Sequence, residues 1–181
     1  MGNRWSSVGI EEPNRFNRLL FNSSTDLIIA HVSVLRDEHT FDSLYARHLS
    51  DKNYVRLADD SGDDISLGSP LSSENTPTLY ALEFKARRQD DRYLGYDVPA
   101  IRKYNLQSME LALRLPVTEL KPRSDYAEIW PSSIVGEKRT DVLYCTVGMQ
   151  RKSGNVDYFL CEIALADGSV EKLTSLDHVF L

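Results

Sequence analysis

The chain has 181 residues and 20.6 kDa, with 21 basic against 27 acidic side chains and a formal charge of −6. Its 41% hydrophobic and 27% charged content excludes the profile of a disordered chain, and two cysteines exclude a disulfide framework. No apolar run approaches the ~20 residues that span a bilayer, and the N-terminus lacks a secretory apolar stretch. These features predict a cytoplasmic chain, either free or on the cytoplasmic face of a membrane.

Residues 1–24 read as an N-terminal arm able to touch a membrane or a partner. Pro13 can open a short helix there, since Phe16, Leu19 and Leu20 follow at helical spacing. Asp26 to Leu35 is β-branched and alternates through Ile28, Ala30, Val32 and Val34, the pattern of a strand. Thr40 then caps an expected helix with Phe41, Leu44, Tyr45, His48 and Leu49 on one face. Tyr54 to Leu57 is a short strand. The segment 57–77 carries five acids and no base, and is rich in Ser, Gly and Pro, which predicts a long acidic loop. Outside it the count is 22 acids against 21 bases, so most of the acidity belongs to this one segment.

Leu79 to Arg87 alternates, with Tyr80, Leu82, Phe84 and Ala86 on one face, as a half-buried antiparallel strand does. Asp97 and Pro99 start an expected short helix through Tyr104. Met109, Leu111, Leu113, Leu115 and Val117 lie at period two, so this stretch reads as strand despite its helix-forming residues. A short aromatic helix is expected from Ser124 to Trp130. Asp141 to Met149 and Val156 to Leu165 flank Lys152-Ser153-Gly154-Asn155 and read as a hairpin. Cys145 and Cys161 fall on its inner face as cross-strand neighbours. Asp167-Gly168 turns into a last strand, Ser169 to Leu173. No internal repeat is visible. The sum over residues 25–181 is one α+β domain, an antiparallel sheet of about five to seven strands with two or three short helices packed on it.

The sharpest motif is M-G-N-R-W-S at the N-terminus, with Gly2 and Ser6 placed as N-myristoylation requires. One acyl chain binds a membrane only marginally, of order 10⁴ M⁻¹, so Trp5 would have to add interfacial contact and oligomerisation would multiply the anchors. The second motif is D-S-G-D-D-I-S, Asp60 to Ser66, which resembles the phosphodegron of a ubiquitin-ligase substrate adaptor. Phosphorylation of Ser61 and Ser66 would add about three to four negative charges for an arginine-lined pocket. Asn22-Ser23-Ser24 matches a glycosylation sequon without a secretory route. His31, His39, His48 and His178 form no metal-ligand or nucleophile spacing with the cysteines, and no glycine-rich phosphate loop occurs. No catalytic residue, metal or cofactor is therefore expected. The scattered basic pairs, such as Arg87/Arg88 and Arg151/Lys152, make no nucleic-acid patch, so no direct sequence-specific nucleic acid binding is expected either.

The order of expected elements resembles the globular part of rhabdovirus matrix proteins. It runs strand, amphipathic helix (Phe41 to Leu49), short strand, long polar loop, two strands (Leu79 to Arg87, Met109 to Leu120) and a hairpin built on M-Q-R-K-S-G-N. The resemblance covers about residues 25–175 and implies a non-enzymatic protein that lines a viral envelope and condenses a nucleocapsid. No P-P-x-Y sequence accompanies it. The expected function is thus a self-assembling, peripheral membrane scaffold, with itself, a membrane surface and a viral nucleocapsid as partners and the virion as one location. The alternative is an adaptor that engages a host protein through the acidic, serine-rich loop 57–77.

Overall fold

The computed structural model describes residues 14–36, 39–57, 65–89, 92–121 and 125–176. These form three four-stranded antiparallel sheets, each a meander in which strands adjacent in sequence are paired. The first contains β1 (Asn14–Asn22), β2 (Leu27–Arg36), β3 (His39–His48) and β4 (Val55–Arg56). The second contains β5 (Ile65–Ser72), β6 (Thr78–Gln89), β7 (Arg92–Asn105) and β8 (Glu110–Pro116). The third contains β9 (Tyr126–Arg139), β10 (Val142–Arg151), β11 (Val156–Ala164) and β12 (Val170–Ser175). A four-stranded meander of this kind is the blade unit of a β-propeller, and we call the sheets blades 1 to 3. The only helical turn among the described residues is a 3-10 turn, Val117–Glu119, in the link between blades 2 and 3. No helix among them is long and apolar enough to cross a membrane.

The fold is therefore all-β, not α+β, and four expected helices are strands. The stretch after Pro13 is β1, Phe41 to His48 lies in β3 with Leu49 in the turn beyond it, Asp97 to Tyr104 in β7, and the described part of Ser124 to Trp130 opens β9. The physical reason is clearest in β3. Leu44 and Ala46 pack toward blade 2 while Tyr45 packs on the opposite face, and all three are buried. A strand buried on both sides loses its period-two signal and leaves apolar spacings that mimic a helix. β6 is the strand expected there but is covered on both faces, since Leu79, Tyr80, Ala81, Leu82 and Glu83 are consecutive and buried, rather than half-exposed.

Prolines misled in the same direction. Pro70, Pro99 and Pro131 each stand at or beside a break in strand register, where a missing N–H disturbs no regular ladder. The expected loop 57–77 accordingly contains β5, which pairs with β6 from Ile65 to Ser72. Residues 58–64 of that loop lie outside the described residues.

Blades pack face to face. Leu27, Ile29 and Leu44 of blade 1 meet Leu67, Leu79 and Tyr104 of blade 2. Tyr80, Leu82 and Ile101 on the other face of blade 2 meet Leu143, Cys145 and Val147 of blade 3. First strands lie inward, with β5 against β1 and β9, whereas β4, β8 and β12 are mostly exposed at the rim. The blades also share a short pattern in their second strands: Ile28-Ile29-Ala30, Leu79-Tyr80-Ala81 and Leu143-Tyr144-Cys145 occupy corresponding positions of β2, β6 and β10. The third residue of each triplet is small and completely buried.

Blade 2 holds a buried charge cluster. Arg114 donates to both carboxylate oxygens of Glu83, at 2.8 and 2.9 Å, and Arg102 Nε donates to Oε2 at 2.6 Å. Glu83 and Arg102 are almost wholly buried. Burial alone would raise the Glu83 carboxyl, but hydrogen bonds and charge from Arg114 and Arg102 outweigh it and hold it below its ordinary value. Glu83→Gln leaves Arg102 buried without its counter-charge and should cost about 3–5 kcal/mol in urea unfolding. Because the folded carboxyl is the stronger acid, its contribution is complete above the unfolded value of about 4.3 and is lost as pH falls through the folded one. The gap between wild type and Glu83→Gln should therefore narrow on acidification, and a gap that widened would contradict the assignment.

Candidate functional site

Two surfaces of the blade row are built for contact. One is a groove of about 750 Å³ where blade 2, the 3-10 link and blade 3 meet. Arg87, Tyr96 and Asp97 form one wall, Val117 and Thr118 the floor on the link side, and 127–130 of β9 the other wall. Arg87 Nε lies 3.7 Å from Asp97 Oδ1, and Tyr96 is held edge-on to Phe84 with ring centroids 6.3 Å apart. Four consecutive residues line the β9 wall, so backbone as well as side chain faces the groove. β9 is the edge strand of blade 3 and pairs only with β10. Its other edge thus offers donors and acceptors outside any ladder.

The second surface is the face of blade 3 turned away from blade 2. Register places Trp130, Tyr144, Thr146, Gly148, Tyr158 and Leu160 together on it. Trp130 lies flat over Gly148, where any Cβ would come within 2.5 Å of the indole. Only glycine admits that approach. Lys138 Nζ pairs with Glu162 at 2.7 Å beside Tyr144. At the other end of the row, Leu19 and Phe21 stand exposed on the outer face of blade 1, opposite Ala30 and Ile28.

The sequence-predicted site residues are not gathered at either surface. Gly2, Trp5 and Ser61 lie outside the described residues, as does His178. Ser66 is buried in β5, where its hydroxyl accepts from the backbone N–H of Asp42. Phosphorylation there would put a dianion between two packed sheets. Asn22 of the sequon is also buried: its Nδ2 donates to Ser72 Oγ, Ser73 O and Thr76 O at 2.9–3.0 Å. That amide ties the β1–β2 turn to the β5–β6 turn. His31 Nε2 lies 3.3 Å from Asp42 Oδ2, and the Ser33 hydroxyl donates to Asp42, not to His31. Burial works against the Asp42 charge, yet His31, Ser33 and Asn17 together hold its carboxyl below the ordinary range. A serine bonded to the acid has no base to activate it. Among the described residues no cluster of His, Cys, Asp or Glu could hold a metal ion. The surfaces themselves were missed because Trp130, Tyr144 and Tyr158 come together only through strand register. The Leu-Tyr-small triplet shared by β6 and β10 was the available signal.

No protein-family pattern and no curated protein matches the sequence. Among solved structures, the Hadza microbial sialidase Hz136 is similar, with a TM-score of 0.56 at 8% sequence identity over 92% of this chain. The chain spans 38% of that protein's length. At this identity the likeness shows the blade fold alone.

Chemistry must then be read from the side chains, and the cysteines give a direct test. Cys145 and Cys161 are directly opposed across β10 and β11, both free and both buried. Burial pushes the Cys145 thiol up to about 12 and Cys161 up to about 11, with Lys172 pulling the latter slightly back. Thiolate is the reactive form, so neither is a nucleophile at neutral pH. Both should resist an aromatic disulfide reagent in the folded protein and react in denaturant. Rapid labelling of either in the folded state would contradict their burial.

Proposed function

We propose that the chain is a non-enzymatic scaffold that works by self-assembly and by contact with other polypeptides. The observation that carries this reading is the pair of outward blade faces, one with Leu19 and Phe21, the other with Trp130, Tyr144, Tyr158 and Leu160. Inside the row, equivalent faces are buried against a neighbouring blade. On these two faces Leu19, Phe21 and Tyr158 are exposed to water, at a cost of about 25 cal/mol per Å² of apolar surface. The interior ionisable groups support the same reading, since Glu83, Arg102 and Asp42 are committed to fixed structural pairs. Light scattering of the full chain over a concentration series should give a defined oligomer. A monomer up to the solubility limit would sink the reading.

The groove adds a place for a partner. An unpaired strand edge beside an exposed tyrosine and charges of both signs fits an extended polypeptide, which would add a strand to β9 at 127–130. Peptides from a random displayed library should be retained by the wild-type chain. Peptides so selected should be lost from Glu128→Lys, and equal retention by that variant would place their binding elsewhere.

A further inference from the structure

The edge of β9 that faces the groove is closed at one end and open at the other. The Ile134 N–H is taken up by the Ser69 hydroxyl of β5 at 2.7 Å, and Pro131 has no N–H to offer. That leaves 127–130, which line the groove and pair with no described strand on that side.

Alternation along a strand gives this open edge two unlike sides. Ile129 packs into the core shared with blade 2, and its groove neighbours Val98 and Val117 rest on the same core beside the exposed Tyr96. Glu128 and Trp130 stand opposite Gln150 and Gly148, on the face of blade 3 turned away from blade 2. An added strand must match both sides, because its own side chains alternate in the same way. Charge decides one of them. Glu128 is exposed and has no ion-pair or hydrogen-bond partner. Arg87, the one base among the described lining residues, is already met by Asp97. The open edge therefore presents an unmet carboxylate and no unmet cation among its described residues. Trp130 follows two positions on, and an indole ring attracts a cation as well.

We infer that the segment taken up by β9 is basic on one side and apolar on the other. Lysine or arginine stands beside Glu128 and Trp130, while valine-like residues cover Val98, Val117 and Tyr96. Main-chain hydrogen bonds hold any extended chain at such an edge, and the alternate side chains select among them. Opposite charges across a strand pair are favourable and like charges unfavourable, so Glu128 sets the sign. The net charge of −6 adds a general pull toward basic partners. This inference rests on the reading of the groove as a peptide site and names the chemistry of the peptide.

The test uses capped, fluorescently labelled Lys-Val-Lys-Val-Lys and Glu-Val-Glu-Val-Glu, titrated with the full chain at physiological salt. Wild type should hold the lysine peptide about tenfold tighter, and Glu128→Lys, with circular dichroism unchanged, should reverse the order. Methylating either the valine or the lysine main-chain nitrogens keeps the peptide's charge. Alternate N–H groups of a strand face opposite edges, so one methylated form should lose binding and the other keep it. Equal binding of the two peptides, a glutamate preference, or a lysine preference that survives Glu128→Lys overturns the basic specificity and leaves strand addition standing. No binding by either peptide, with library-selected peptides still retained, overturns this inference alone. Equal effects of the two methylations, or failure of the library as well, overturn the peptide reading and this inference with it.

Discussion

A four-stranded sheet has two faces, and in this chain no helix is available among the described residues to cover either. Each blade must therefore bury its faces against another blade, and that requirement shapes everything else. The middle blade satisfies it twice, which is why β6 runs apolar without interruption from Leu79 to Leu82 and why its one acid, Glu83, is held by two arginines. Removing a buried charge from water is expensive unless geometry and hydrogen bonding are both good. The fork of Arg114 on both Glu83 oxygens provides that geometry, and Arg102 completes it.

Apolar layers alone would let blades slide. Directional ties remove that freedom, and they cluster at the turns between first and second strands. Asn22 fixes the blade 1 turn to the blade 2 turn through three donated bonds, and Tyr80 reaches the turn of blade 3. On the inner edge, the left-handed Ser69 turns its hydroxyl to accept from the Ile134 N–H at 2.7 Å, joining β5 to β9. A sheet row fixed in this way presents its groove and its end faces as rigid surfaces.

How much of this was legible follows from which faces are covered. β2, β4, β6, β8 and the β10–β11–β12 meander could be located from sequence, including the cross-strand pair Cys145 and Cys161. β1, β3, β7 and β9 read as helices. In β3 burial on both faces erased the alternation; in β7 and β9 Pro99 and Pro131 looked like helix starts or chain breaks although each accompanies a bulge. β5 was hidden because serines and a proline filled it, and those serines serve contacts between strands rather than a loop. Of the contact surfaces, only single residues were readable. Gly148 makes room for Trp130 eighteen positions earlier, and nothing in local pattern links the two.

Among the described residues, every sheet pairs strands that are neighbours in sequence, with no crossover. For an all-β protein this keeps the loops that must close short, so the entropy lost before each pairing is regained is small. Blades can form one hairpin at a time in the order of synthesis, and each finished blade provides the apolar face on which the next condenses. The topology thus gives a direction in time to the same stacking that stabilises the finished molecule.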